Sequence, residues 1–162
     1  MIRTAPAPQN AIIGVFLLLL AAVSAVAPIP LALRSAGILL SAYLGFAVGG
    51  MPWAYVIALL VPPLGLLGGD EAWLVMLPIV LSGNLLAMLG LEYAWRWAAL
   101  VVSPLLLIAP QVVTFAIAQR ELFRVELPWE PNVVAWIALH ALVAVAGILI
   151  AILLERRRPQ LA

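Results

Sequence analysis

Residues 61–91 read VPPLGLLGGDEAWLVMLPIVLSGNLLAMLGL, two apolar runs that meet at a Gly-Gly-Asp-Glu turn. A short polar turn between long apolar runs is typical of a helical hairpin that crosses a membrane twice. Pro78 in the second run removes a backbone donor, which predicts a kinked arm. Asn84 lies further along, and an amide in hydrocarbon is costly without a partner. We therefore expect this arm to face protein or a cavity.

The composition of the whole chain supports a membrane protein. Of the 162 residues, 67% are hydrophobic and only 9% are charged, and the mean hydropathy is +1.21. At about 20 residues per span, this length allows roughly five to seven spans. The sequence therefore predicts an all-α polytopic membrane helix bundle that forms a single integral-membrane domain over residues 1–162, with the lipid bilayer around it.

Six apolar segments can be marked along the chain, at about 11–27, 35–50, 52–68, 73–90, 97–118 and 132–154. The second and third are short and close together, so six helices are expected, with five as the alternative. We expect the first segment to be a retained span rather than a cleaved signal peptide.

The arginines indicate the orientation of these spans. With six spans, one side carries Arg3, Arg96 and residues 156–158, and the other carries Arg34, Arg120 and Arg124. The side richer in basic residues is normally cytoplasmic. Both termini are therefore predicted to be cytoplasmic, and loops 27–34, 68–71 and 119–132 to face outward.

Most of the tryptophans fall near predicted span ends, where an indole ring is most stable, and are expected to be interfacial anchors. These are Trp53, Trp73, Trp95, Trp97 and Trp129. Trp136 differs from them because it lies inside a predicted span.

Small residues recur at every fourth position of the second helix, at Gly37, Ser41, Gly45 and Gly49. Such a stripe lets another helix backbone approach closely. It serves either packing within this chain or docking of a partner membrane protein. Ala21 and Ala25 on the first helix form a weaker example of the same pattern.

Polar residues inside the spans gather in the second half of the chain. The candidate substrate-binding residues are Asn84, Gln111, Thr114, Asn132, Trp136 and His140. The last three are four residues apart, so they share one helix face. A few polar groups among apolar walls, covered by loop 119–132, are typical of a small-molecule pocket. The alternative is that these side chains hydrogen-bond one another and hold the helices together.

The sequence contains no recognisable catalytic or cofactor motif. It has one His, no Cys, no HExxH, no serine with a His base at a fixed spacing and no phosphate-binding loop. We therefore expect no enzyme activity, no metal and no cofactor. The eight basic residues form no patch dense enough for nucleic acid, so no nucleic-acid partner is expected.

Residues 45–89 resemble the S-components, the substrate-binding subunits, of energy-coupling factor (ECF) micronutrient transporters. The resemblance rests on a helix rich in small residues, a proline-containing third helix, a short outer loop, and a fourth helix with Leu77-Pro78 followed by Asn84. It implies a six-helix subunit that captures a vitamin-like nutrient from outside, with contacts from helices four to six. It also implies a transmembrane coupling subunit and ATPase subunits as partners. Ala21 and Ala25 match the spacing of the family's Ala-x-x-x-Ala coupling patch, late in the first helix.

The chain also resembles the rod-shape-determining MreD proteins in size, helix count and lack of catalytic residues. That resemblance implies a non-catalytic scaffold that recruits cell-shape or cell-wall proteins through the small-residue stripe and loop 119–132. Either family implies a multi-pass protein of the cell (inner) membrane. A cavity lined by Gln111, Trp136 and His140 would favour binding, and a packed bundle would favour scaffolding.

Overall fold

Helices form every regular element of the residues that the computed structural model describes, which are 8–94, 96–118, 127–129 and 132–157. The helices are α1 (Pro8–Val26), α2 (Leu31–Gly49), α3 (Met51–Tyr55), α4 (Glu71–Tyr93), α5 (Ala99–Ala118) and α6 (Val133–Arg157). A π-helical turn (Val56–Leu60) and a 3₁₀ segment (Pro62–Gly68) extend α3, and a short 3₁₀ turn (Arg96–Ala98) precedes α5. The predicted all-α bundle is confirmed.

Five helical segments are long and apolar enough to cross a membrane. They are Leu31–Gly49, Met51–Gly68, Glu71–Tyr93, Arg96–Ala118 and Val133–Glu155. The apolar part of α1, Asn10–Val26, is shorter.

The turn before α4 lies where the sequence places the hairpin. Gly69 has φ 68°, a left-handed conformation that glycine adopts without strain. Asp70 then caps α4, because its Oδ1 accepts hydrogen bonds from the backbone N–H groups of Ala72 (3.0 Å) and Trp73 (3.3 Å). From this cap α4 continues through Pro78 as one helix.

Prolines explain why the segment before this turn is irregular. Pro62 has no N–H, so it cannot donate to the carbonyl of Ala58 one turn earlier. The side-chain amide of Asn84 on α4 donates to that carbonyl instead, at 3.1 Å. Asn84 thus replaces a helical hydrogen bond that Pro62 removes, and it links α4 to the α3 segment.

Two glycines let α4 lie against α5. A Cβ at Gly83 would be 3.0 Å from the carbonyl oxygen of Leu107, and a Cβ at Gly90 would be 2.9 Å from Cα of Ser103. Any larger residue would therefore meet the backbone of α5. Elsewhere in the bundle, α1 packs on α2, and α6 packs on both α2 and α5.

The small-residue stripe of α2 packs against the same chain. Gly37 lies against Ser24 of α1, and Gly49 lies against the indole of Trp53. Gly45 contacts Ile57 and Trp53, and Ser41 donates to the carbonyl of Gly37. Ala21 and Ala25 of α1 are also fully buried in the bundle. The proposed use of these residues for partner docking stays a prediction.

The start of α2 differs from the sequence expectation. The helix begins at Leu31, four residues before the expected start of the second span, so Arg34 lies in its first turn and not in a loop. Arg34 is buried, and Trp73 beside it is completely buried. The expected role of Trp73 as an interfacial anchor is therefore wrong; its indole belongs to the core. Trp95 lies outside the described residues.

Candidate functional site

The first turns of α6 carry the candidate site. Asn132 precedes the helix, and its Oδ1 accepts a hydrogen bond from the N–H of Ala135 at 2.9 Å. Its side chain is exposed and caps the helix. One and two turns later, Trp136 and His140 are both 1% exposed. The predicted four-residue spacing thus places a cap, an indole and an imidazole along one helix.

Three aromatic rings form a column at this end of α6. The rings of Trp136 and His140 are stacked, with centroids 4.8 Å apart and planes at 20°. Trp129 contacts Trp136 edge-on, with centroids 5.5 Å apart and planes at 78°. Trp129 is half-buried, so it covers Trp136 from the loop side. Residues 127–129 of the predicted loop 119–132 therefore lie over the site. Arg120 and Arg124 of the same loop lie outside the described residues.

His140 has a hydrogen-bond partner on each ring nitrogen. Nδ1 lies 2.8 Å from the carbonyl oxygen of Trp136, and a carbonyl can only accept, so Nδ1 carries a hydrogen. Nε2 lies 2.9 Å from Oγ of Ser35 on α2. In the neutral ring Nε2 has no hydrogen and accepts from the Ser35 hydroxyl. Sequence reasoning missed Ser35, because it lies 105 positions from His140 and only the fold brings the two together.

Two buried side-chain atoms have no hydrogen-bond partner among the described residues: Nε1 of Trp136 and Oε1 of Gln111. Gln111 is 3% exposed, and its Nε2 lies 3.8 Å from the Cβ position of Gly83, so its side chain lies near α4. A buried polar group without a partner costs about 1–3 kcal/mol in proteins. Such atoms indicate positions where a ligand or an ordered water supplies the missing partner.

The other predicted site residues use their polar atoms within the bundle. Thr114 donates to the carbonyl of Pro110 at 2.7 Å on its own helix, and Asn84 donates to Ala58. The structure therefore brings Trp136 and His140 into contact and leaves Oε1 of Gln111, near α4, without a partner among the described residues. It links Asn84 to the α3 segment, not to Trp136.

A second polar centre, unexpected from the sequence, surrounds Arg34. Its Nη1 lies 2.5 Å from Oδ2 of Asp70, and its Nε donates to the carbonyl of Ala25 at 2.9 Å. Nη2 donates to the carbonyls of Ala25 and Gly65, and the guanidinium carbon lies 4.5 Å from the ring centroid of Trp73. All three guanidinium nitrogens have partners. Because these partners lie on α1, in the 3₁₀ segment and at the start of α4, the centre joins these elements to α2. We interpret it as structural.

Among the described residues, no group of three or more His, Asp or Glu side chains could hold a metal ion. Comparison with known protein families, with characterised proteins and with solved structures finds no match to this chain. The functional argument therefore depends on the geometry around Trp136.

Proposed function

We propose that this chain is the membrane-embedded substrate-capture subunit of an ECF-type importer. It binds a vitamin-like or other small heterocyclic nutrient beside Trp136, in a pocket that faces outward. A transmembrane coupling subunit and ATPase subunits would then move the nutrient into the cell. The observation that carries this proposal is the Trp136 indole N–H at the centre of the aromatic column, which is buried and has no hydrogen-bond partner among the described residues.

An unpartnered indole N–H next to stacked rings suits a flat ligand with a hydrogen-bond acceptor at its edge. Stacking on Trp129 or Trp136 would bind the face of such a ring, and the N–H would bind a ring nitrogen or carbonyl. Gln111 Oε1 would accept from a donor on the ligand or on a bridging water. Trp129 would need to shift for entry, since it now covers Trp136.

The proposed topology has six spans and places both termini in the cytoplasm of a cell (inner) membrane protein. Helix α1 contains 19 residues, or about 28 Å, which is close to the thickness of the hydrocarbon core. The arginines of residues 156–158 directly follow the last apolar segment, 132–154, and Glu155, and they favour a cytoplasmic C-terminus.

The test is to purify the tagged full chain from its native membranes and to identify co-purifying molecules by mass spectrometry. We expect a retained small heterocycle together with ATPase subunits. Trp136→Phe keeps a ring and removes only the N–H, so it should lower ligand occupancy about 5- to 10-fold, the loss expected for one hydrogen bond. Absence of both ligand and ATPase subunits would contradict the proposal.

Trp53→Phe is the matched control for this substitution. Trp53 lies beside Gly49, at the end of α2 opposite to Ser35, and the fourteen residues between these ends span about 21 Å. The control should therefore leave ligand occupancy unchanged. Equal losses in both variants would indicate a general effect of losing an indole.

A scaffold of the MreD type is the second candidate, and one observation favours it. Four of the predicted site residues form hydrogen bonds within the chain, as expected for a packed bundle: Asn84, Thr114, Asn132 and His140. Recovery of cell-shape or cell-wall proteins without any small molecule, unaffected by Trp136→Phe, would support this alternative.

A further inference from the structure

Ser35 and His140 have the geometry of a nucleophile and its general base. The Ser35 Oγ to His140 Nε2 distance is 2.9 Å, within the range for direct proton transfer. The carbonyl of Trp136 accepts from Nδ1 at 2.8 Å and leaves the lone pair of Nε2 directed at the serine hydroxyl. A nucleophile, a base and a group that orients the base are the arrangement that activates serine in acyl transfer.

A third element lies in the same stack. The developing oxyanion of an acyl-transfer reaction needs a hydrogen-bond donor that is already in place. Trp136 stacks on the imidazole of His140, and its Nε1–H is buried without a partner among the described residues. This donor therefore belongs to the ring that stacks on the base.

We propose that Ser35 and His140 form an acyl-transfer dyad that hydrolyses membrane-soluble carboxylic esters, with Trp136 Nε1–H as oxyanion donor. The inference goes beyond nutrient capture and does not depend on it. An ester is the favoured substrate class because the orienting group is a carbonyl and not a carboxylate. A carbonyl stabilises the imidazolium of His140 less than a carboxylate does, so the base is weaker. A weaker base suits an ester, because an ester expels its leaving group more easily than an amide does.

The reaction balances with water as the second reactant. Ser35 Oγ forms a bond to the carbonyl carbon and gives its proton to His140 Nε2. The ester C–O bond breaks, and the leaving alkoxide takes that proton and departs as an alcohol. Water then attacks the acyl-serine and gives a proton to Nε2. The acyl–Oγ bond breaks, Oγ takes the proton back, and a carboxylic acid is released.

Access to the dyad passes the aromatic column. Ser35 is 2% exposed and His140 is 1% exposed, so a substrate reaches Oγ only when residues around the dyad move. Trp129 is the half-buried outermost ring of that column. Trp129→Ala should therefore speed the reaction of Ser35 several-fold.

The experiment treats the full chain in detergent with an alkyl fluorophosphonate and locates the adduct by peptide mass spectrometry. We expect a single adduct, on Ser35. Ser35→Ala should abolish it, and His140→Asn should lower the rate at which it forms at least 100-fold. Ser82→Ala is the control, since Ser82 is a more exposed helical serine whose hydroxyl donates to the carbonyl of Ile79 on its own helix. This variant should label like the unaltered protein.

Hydrolysis of p-nitrophenyl octanoate supplies the second readout. It should require Ser35, and it should fall about tenfold in Trp136→Phe, in which the oxyanion donor is missing. A folded, unaltered protein that forms no adduct on Ser35 would overturn the proposal. An equal rate of adduct formation in His140→Asn would also overturn the proposal, because His140 would then have no role as the base.

Discussion

Arg34 on α2 forms an ion pair with Asp70, with 2.5 Å between Nη1 and Oδ2, and Asp70 at the same time caps α4 through its other oxygen. One carboxylate thus neutralises a buried cation and starts a helix. Arg34 is 5% exposed and Asp70 is 33% exposed in their side chains, so the pair is only partly shielded from solvent.

Substitutions of Asp70 should separate these two roles. Asp70→Asn keeps a capping oxygen and removes the charge, and we expect it to lower the free energy of unfolding by about 1–3 kcal/mol, since Arg34 loses its counter-ion. Asp70→Ala also removes the cap and should cost about 1 kcal/mol more. Thermal unfolding in detergent, followed by tryptophan fluorescence, measures both. Glu71→Gln is the control, because the Glu71 carboxylate is exposed and pairs with no described residue. Equal stability of the two Asp70 variants would contradict the capping role.

Asn84 should prove to be a substitute for the missing N–H of Pro62. Asn84→Leu leaves the Ala58 carbonyl without a donor and should destabilise the protein by about 1–3 kcal/mol. Pro62→Ala restores a backbone N–H one turn after Ala58. The loss caused by Asn84→Leu should therefore be smaller in a Pro62→Ala background, as measured by a double-mutant cycle. Additive losses would mean that the two residues act independently.

Gly90 should tolerate no side chain. The Cβ added by Gly90→Ala would lie 2.9 Å from Cα of Ser103, so α4 and α5 must separate, at a cost of about 1–3 kcal/mol. Gly68→Ala is the matched control, because the nearest atom to its Cβ position is 4.0 Å away and its φ is not positive. The measurement is the midpoint of thermal unfolding in detergent. A Gly90→Ala midpoint equal to that of the control would show that the interface can adjust.

The buried pair Tyr43–Ser103 should respond differently to the loss of either partner. The two hydroxyl oxygens are 2.6 Å apart, and Ser103 Oγ also lies 2.8 Å from the carbonyl oxygen of Ala87, to which it donates. Tyr43→Phe leaves Ser103 its second partner and should cost about 1 kcal/mol. Ser103→Ala leaves the Tyr43 hydroxyl unpaired inside the core and should cost more, about 1–3 kcal/mol. The reverse order in unfolding experiments would show that Tyr43 finds another acceptor.

Local sequence features predicted much of the fold. The apolar runs and the turn at residues 68–71 depend on residues close together in the chain, and both appear in the structure. The four-residue spacing correctly placed Trp136 and His140 on one helix face, because helical periodicity is a local property, whereas Asn132 lies just before the helix.

Contacts between distant segments were not predictable in the same way. Its position near a predicted span end marked Trp73 as an interfacial anchor, because a residue there has the same local sequence whether it faces lipid or protein. Packing determines that the Trp73 indole is buried. The guanidinium of Arg34 from α2 lies over its ring, and the carbonyl of Pro62 accepts a hydrogen bond from its N–H.

The sequence by itself determined that this protein forms helices long and apolar enough to cross a membrane, since 67% hydrophobic residues in long runs satisfy their backbone hydrogen bonds in lipid only as helices. Only the tertiary structure decided which polar atoms are satisfied. Asn84 bonds to the carbonyl that Pro62 leaves free, His140 bonds to Ser35, and Trp136 Nε1 has no partner in the part of the chain that the structure describes. The physical reason is that hydrogen bonding across helices depends on distances of a few ångströms between residues far apart in sequence, which no local pattern contains.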